Sequence, residues 1–156
     1  MFEVLSDPAI YEFENKPPQS LEWLETRFGK LESRHSADRS EQWLNWVVRL
    51  PTGALAGFVQ ATVLPDSNAY VAYELASKFW RQGIGTAAVT VVIHELCATY
   101  RVRNCLAVFK ARNFRSQALL QSLAFMGVPP AGVEPVTCEP DELVMYKRLS
   151  SGKNAV

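Results

Sequence analysis

The chain has 156 residues with 16 Lys+Arg against 16 Asp+Glu, a formal net charge of zero. That length is one globular unit able to bury about 70% of the surface its unfolded chain exposes, and the charge balance excludes the fields that gather nucleic acid or an anionic membrane, leaving a small molecule or peptide as partner. Cys97, Cys105 and Cys138 are odd in number, with no C-x-x-C pair and no histidine at ligand spacing, which excludes a disulfide framework or a metal site and points to a reducing, cytoplasmic setting.

No basic segment followed by an apolar run opens the chain, and no stretch approaches about 18 uninterrupted apolar residues, so a soluble, unexported protein is expected. Pro17-Pro18 separates a short helix over about Pro8 to Phe13 from a second that starts near Ser20 and carries Leu21, Leu24, Phe28 and Leu31 at helical spacing. A polar loop, Glu32 to Glu41, leads to two apolar runs, Trp43 to Leu50 and Leu55 to Leu64, that flank Pro51-Thr52-Gly53 and read as a β-hairpin. Pro65 to Asn68 turns into a third strand, Ala69 to Leu75. From Gly83 to about Tyr100 the chain has no proline, and no glycine after Gly85, and Ile84, Ala88, Val91, Val92 and Leu96 predict one buried helix face. A strand over Asn104 to Phe109 closes a strand–helix–strand crossover, so it lies parallel to the third strand. Asn113 reads as the cap of a last helix with Leu119, Leu120 and Leu123 inward, and Glu142 to Arg148 is the final strand. The expectation is an α+β fold with a mixed, mainly antiparallel sheet and flanking helices in a single domain over residues 1–149, with a disordered tail over 150–156.

The densest signal is Phe79-Trp80-Arg81-Gln82-Gly83-Ile84-Gly85-Thr86-Ala87-Ala88, a glycine turn between a strand and a helix. Unpaired amides at such a helix start favour an anion, and glycines at 83 and 85 would let it approach the main chain. The segment formally satisfies the dinucleotide pattern G-x-G-x-x-A. However, a meander precedes it where a dinucleotide half would begin the fold, and the next strand ends in Lys110 rather than a ribose-binding acid. A Walker phosphate loop is excluded because no G-K-[S/T] follows.

Taken together, Tyr73-Glu74-Leu75, Trp80, the glycine turn, Asn113-Phe114-Arg115-Ser116 and Leu123-Ala124-Phe125 resemble the GNAT superfamily of acetyltransferases. The resemblance covers about Ala69 to Phe125 and is nearest to the branch that includes the ribosomal-protein-alanine N-acetyltransferases. It implies acetyl-CoA as acetyl donor and an amine acceptor, either a peptide N-terminus or a small molecule. It also implies that Arg81, Gln82, Gly83, Ile84, Gly85 and Thr86 hold the pyrophosphate, that Leu75 offers main-chain bonds to the pantetheine arm, and that Asn113 and Ser116 lie beside the thioester. Asn113 and Ser116 read equally well as a helix-capping pair, and the two roles can coexist.

Attack of an amine on a thioester needs a base, a donor for the developing oxyanion and a proton for the leaving thiolate. Glu74 is the candidate base, on the same alternation as Tyr70 and Ala72; a surface ion pair with Arg81 or a lysine is its bland alternative. The tyrosine that many family members place on the last helix is replaced by Leu120, so Ser116 is the nearest hydroxyl for the thiolate. Ala124 and Ser77 also depart from the pattern, and the strand that normally precedes the first helix is missing. A CoA-binding sensor that no longer transfers acetyl groups therefore stays open, as does a homodimer. Trp23, Trp43 and Trp46 read first as core, with the hairpin and the second helix as candidate walls of an acceptor groove. His35 and His94 read as structural, and Cys105 lacks a positioned base, which favours direct transfer over an acyl-enzyme.

Overall fold

The sheet starts from the hairpin around Pro51-Thr52-Gly53. In the computed structural model, which describes residues 1–150, β1 (Gln42–Arg49) pairs antiparallel with β2 (Leu55–Val63), and β2 with β3 (Asn68–Leu75). The crossover helix α3 (Ile84–Ala98) then delivers β4 (Asn104–Lys110) parallel to β3, and β5 (Glu142–Arg148) pairs antiparallel with β4 along its whole length. The five strands lie in the order β1-β2-β3-β4-β5. The mixed sheet and the parallel crossover expected from the sequence are thus present.

Two faces follow from the period-2 alternation of the strands. Leu44, Val59, Ala61, Val63, Ala69 and Val71 face α3 and α4 (Phe114–Ser122) and form the core with Val89, Val92, Ile93, Leu96 and Leu120. The opposite face carries Trp43, Asn45, Phe58, Gln60 and Glu74, above which sits α2 (Leu21–Leu31), capped by the Ser20 hydroxyl accepting from the Trp23 amide at 3.1 Å.

Several expectations need correction. The first helix is a single 3₁₀ turn, Pro8–Tyr11, capped by Asp7, and a short helix α1 (Phe2–Leu5) precedes it. In keeping with the expected lack of a first strand, none precedes β1 among the described residues. Val91 lies on the exposed side of α3, and the buried stripe is Val89, Val92, Ile93 and Leu96. That helix is apolar nearly all round, so its sequence does not show which stripe faces the sheet. Trp23 is 39% exposed, on a helix whose apolar face looks into a cavity. The tail expected to be disordered lies, beyond Ser150, outside the described residues.

One contact fixes the β2–β3 register beside the site. Gly57 (φ +154°) lies opposite Leu75, and a Cβ there would collide with the Glu74 carbonyl oxygen and come within 2.8 Å of Leu75 Cα. Both obstacles are backbone, which cannot turn aside as a side chain can. Gly57→Ala is expected to destabilise the fold by about 3 kcal/mol or more, read as a fall in the urea midpoint at unchanged slope.

Candidate active site

Parallel pairing of β3 with β4 covers three positions, Asn68–Asn104, Ala69–Cys105 and Tyr70–Leu106, after which the strands diverge. The closed end is pinned by side chains: Asn104 Nδ2 donates to Asn68 Oδ1 at 2.9 Å, and Asn68 Nδ2 to Asp66 Oδ2 at 2.7 Å. Beyond it the facing edges of β3 and β4, to Leu75 and Lys110, have no ladder between them. Unpaired strand edges of this kind take main-chain hydrogen bonds from an extended ligand.

At the open end stands the glycine turn. Arg81 (φ +59°) and Gly83 (φ +76°) are both left-handed, which turns the chain sharply into α3. The first amide of this region with an internal acceptor is that of Ala87, bonded to the Gly83 carbonyl at 2.9 Å. Among the described residues the amides of Arg81, Gln82, Gly83, Ile84, Gly85 and Thr86 find no acceptor. The two glycines differ in what they do. A Cβ at Gly83 would meet nothing within 4 Å, whereas at Gly85 it would approach Leu119 Cδ1 to 2.9 Å and Leu75 Cδ1 to 3.0 Å. Gly83 therefore leaves space before the amides, and Gly85 lets α3 close on α4 and β3. Leu75 carries a further bond, its carbonyl accepting from the Trp80 indole at 2.7 Å.

Asn113 caps α4, its Oδ1 accepting from the Ser116 amide at 3.1 Å, which is the capping pair anticipated from the sequence. Unanticipated is the Tyr73 hydroxyl, 3.3 Å from Ser116 Oγ and 3.4 Å from the Ser116 carbonyl oxygen. Burial pushes the Tyr73 phenol up to about 12 against the pull of the Ser116 hydrogen bond. A tyrosine hydroxyl on β3 thus stands against the first turn of α4, where the sequence offers no tyrosine of its own. Its signal was available, since Tyr73 precedes Glu74 and so takes the α4 side of the sheet.

Glu74 points the other way, into a cavity of about 550 Å³ between α2 and the sheet. Burial holds its carboxyl above the usual carboxylate range, opposed by the Tyr11 hydrogen bond and the Arg27 charge. The Tyr11 hydroxyl donates to the Leu5 carbonyl at 2.8 Å and lies 3.3 Å from Glu74 Oε2. Glu74 has no ion-pair partner among the described residues, so the pairing with Arg81 or a lysine is not made. Trp23, Trp43 and Trp46 all line this cavity, as do Phe28 and Phe58.

The N-terminal segment reaches the site because polar contacts hold it there. Asp7 Oδ2 accepts from the Ser77 amide at 2.6 Å and its Oδ1 from Ala9 at 3.0 Å; hydrogen bonding by Ser77 holds this carboxyl below its usual value despite partial burial. Arg112 donates to the Phe13 carbonyl at 2.8 Å. Arg115 pairs with Glu12 at 2.7 Å while lying over the rings of Trp80, Phe114 and Phe13 at 4.6, 5.0 and 5.2 Å. Cys105 is buried, its thiol pushed up to about 12 by burial, which removes it as a thiolate nucleophile. No group of metal-ligating side chains occurs among the described residues, nor any helix long and apolar enough to cross a membrane.

A mixed sheet split beside a helix start with free amides suits an anionic, extended ligand, which is the class of acyl-CoA-binding acyltransferase folds. The chain belongs to the GNAT acetyltransferase family: residues 1–126 match the profile of the "Acetyltransferase (GNAT) domain". No curated protein matches the sequence. Solved structures share the fold at low identity. The spermidine N-acetyltransferase of Vibrio cholerae, in complex with CoA and spermine, superposes with a TM-score of 0.71 at 15% identity, over 94% of this chain and 86% of that one. A phosphinothricin acetyltransferase of Sinorhizobium meliloti, in complex with AcCoA, gives 0.67 at 19% identity over 97% and 83%. A GNAT-family acetyltransferase of Bacillus anthracis gives 0.72 at 12% identity over 95% and 86%.

The distinct surroundings of the two glycines are testable by substitution. Gly85→Ala should destabilise by about 1–2 kcal/mol through crowding of Leu75 and Leu119. Gly83→Ala should lose about 1 kcal/mol through its left-handed backbone alone. Chemical unfolding of both variants without ligand checks the order.

Proposed function

We propose that the protein moves the acetyl group of acetyl-CoA to a primary amine held in the cavity between α2 and the sheet, by direct attack in a ternary complex. The observation that carries this reading is the position of Glu74. Its side chain lines the cavity, while its main chain is next to Leu75 on the open edge of β3. One residue thus borders both the space for an acceptor and the wedge for a donor.

Acetyl-CoA supplies the thioester-bound acetyl group. The free amides of Arg81, Gln82, Gly83, Ile84, Gly85 and Thr86 and the positive end of α3 are suited to its pyrophosphate, and the open edge at Leu75 to its amide arm. Asn113 orders the first turn of α4 beside that arm. Glu74, deprotonated, takes the proton of the incoming ammonium or of the attacking amine. Its raised pKa makes it a stronger base than an ordinary carboxylate, and the Tyr11 hydroxyl, shared with the Leu5 carbonyl, lies 3.3 Å from one of its oxygens. Ser116 Oγ serves the leaving thiolate as hydrogen-bond donor, with the Tyr73 hydroxyl behind it as the source of the proton. A serine alone is a poor acid, and the tyrosine completes the relay.

The motif Tyr73-Glu74-Leu75 with Trp80 and the glycine turn supports a place near the ribosomal-protein-alanine N-acetyltransferase branch, whose acceptor is a peptide N-terminus. The cavity itself admits a small amine equally well, since about 300–1,000 Å³ is the usual size of a small-molecule site.

Glu74→Gln is expected to lower kcat by about 100-fold with acetyl-CoA affinity, followed by calorimetry, retained. The wild-type rate should rise with pH through a limb above the ordinary carboxylate range, because burial raises the pKa and only the deprotonated form accepts a proton. Glu74→Gln should lose that limb and keep only the rise due to the amine itself. The fold favours the protonated carboxyl, a contribution present at low pH and lost as pH rises through the folded-state pKa, so glutamine at this position should not lower the melting temperature. Wild-type turnover by Glu74→Gln across the profile would exclude Glu74 as the base.

A further inference from the structure

The charges around the acceptor cavity narrow the kind of amine that fits, given the transferase reading above. Lys16, Arg27 and Arg34 line it together with Glu32 and Glu74. None of the three cations has a carboxylate partner among the described residues, where the ion pairs are those of Lys110 and Arg115. Arg34 is the most occupied, its Nη2 donating to the Tyr100 hydroxyl at 3.3 Å. Arg27 stands one helical turn from Trp23, its guanidinium 5.5 Å from the centre of that ring, which leaves the fork of N–H donors free.

Glu74 is set aside for the amine, which leaves three cations and one carboxylate to meet the rest of the acceptor. A polyamine carries further ammonium groups, and each would face Lys16, Arg27 or Arg34 with only Glu32 in compensation. A carboxylate on the acceptor meets the opposite case: it would restore a partner to a cation that lacks one, with the bidentate geometry an arginine offers. Between the charged groups the walls are apolar, from Phe28, Phe58 and the tryptophans. Arg27 and Glu74 line the same cavity, and the Arg27 charge is felt at the Glu74 carboxyl, whose pKa it pulls down against the effect of burial.

We propose that the acceptor is an amino acid with an apolar side chain, its amine at Glu74 and its free carboxylate on Arg27. Arg27 is then a specificity-determining residue, and polyamines are discriminated against.

The test uses L-leucine, leucinamide, isoamylamine and spermidine with the full chain. Equilibrium binding to the protein–CoA complex is followed by tryptophan fluorescence, and kcat/KM, referred to the unprotonated amine, by thiol release from acetyl-CoA. Leucine should be favoured over leucinamide and isoamylamine by about tenfold or more in both, and Arg27→Gln should remove that preference by lowering the leucine value towards the other two. Equal binding of leucine and leucinamide, a preference for spermidine, failure of leucine to bind, or a leucine preference that survives Arg27→Gln overturns the proposal. Preferential acetylation of leucinamide or spermidine would leave the transferase reading intact and defeat only the carboxylate. Carboxylate-selective binding that Arg27→Gln removes, with no acetyl-CoA consumed, would uphold the carboxylate site and defeat the transferase reading.

Discussion

Everything at the site depends on the early end of β3–β4 pairing. A parallel pair joined by a crossover helix would ordinarily continue along both strands, yet pairing stops after Tyr70–Leu106 while β3 runs on to Leu75 and β4 to Lys110. The outer neighbours keep each strand straight: β2 holds β3 to its end through the tight Gly57–Leu75 approach, and β5 holds β4 along all of its length. With both strands fixed from outside, the gap between them is a stable feature of the sheet. Its unpaired main-chain groups are then available to a ligand at no loss of native hydrogen bonds.

The second dependence is on the N-terminal segment, which has little regular structure. Residues 6 to 20 contain a single 3₁₀ turn, so their placement comes from side chains that reach across the fold. Asp7 grips the Ser77 amide at the end of β3, Tyr11 meets Glu74, and Glu12 and the Phe13 carbonyl are held by Arg115 and Arg112. The aromatic group of Phe13, Trp80 and Phe114 around Arg115 links this segment to the glycine turn and to α4. One wall of the cavity under α2 and one lip of the wedge are therefore built by the same stretch of chain. The environment that raises the Glu74 pKa is partly this segment's work, because its packing excludes water from a carboxylate that the sheet alone would expose.

The sequence made the sheet legible because alternation and turn residues agree there: Pro51-Thr52-Gly53 marks the hairpin, and strands begin and end within a residue or so of the patterned runs. The glycine turn was legible as a sharp turn into a helix whose first amides lack acceptors, although Gly85 turns out to answer to packing against Leu75 and Leu119. Long-range side-chain meetings left less trace. Tyr11 lies 63 residues from Glu74 and Tyr73 lies 43 from Ser116, and no local period records either contact. Trp23 misled for a related reason, since a residue at core spacing on α2 is buried only if something packs on it, and here a cavity faces the helix, whereas Trp46 does pack against the core.

The central claim is that the wedge and the glycine turn together form the acetyl-CoA site. Hydrogen exchange of individual amides, compared with and without acetyl-CoA, tests this most directly, because it reports on the main-chain groups that lack partners in the free protein. The account predicts slowed exchange concentrated at residues 81 to 86 and along the open edges of β3 and β4, with little change at the closed end around Asn68 and Asn104. Binding of acetyl-CoA that left those amides unprotected, or that protected only the tryptophan-lined cavity, would contradict it.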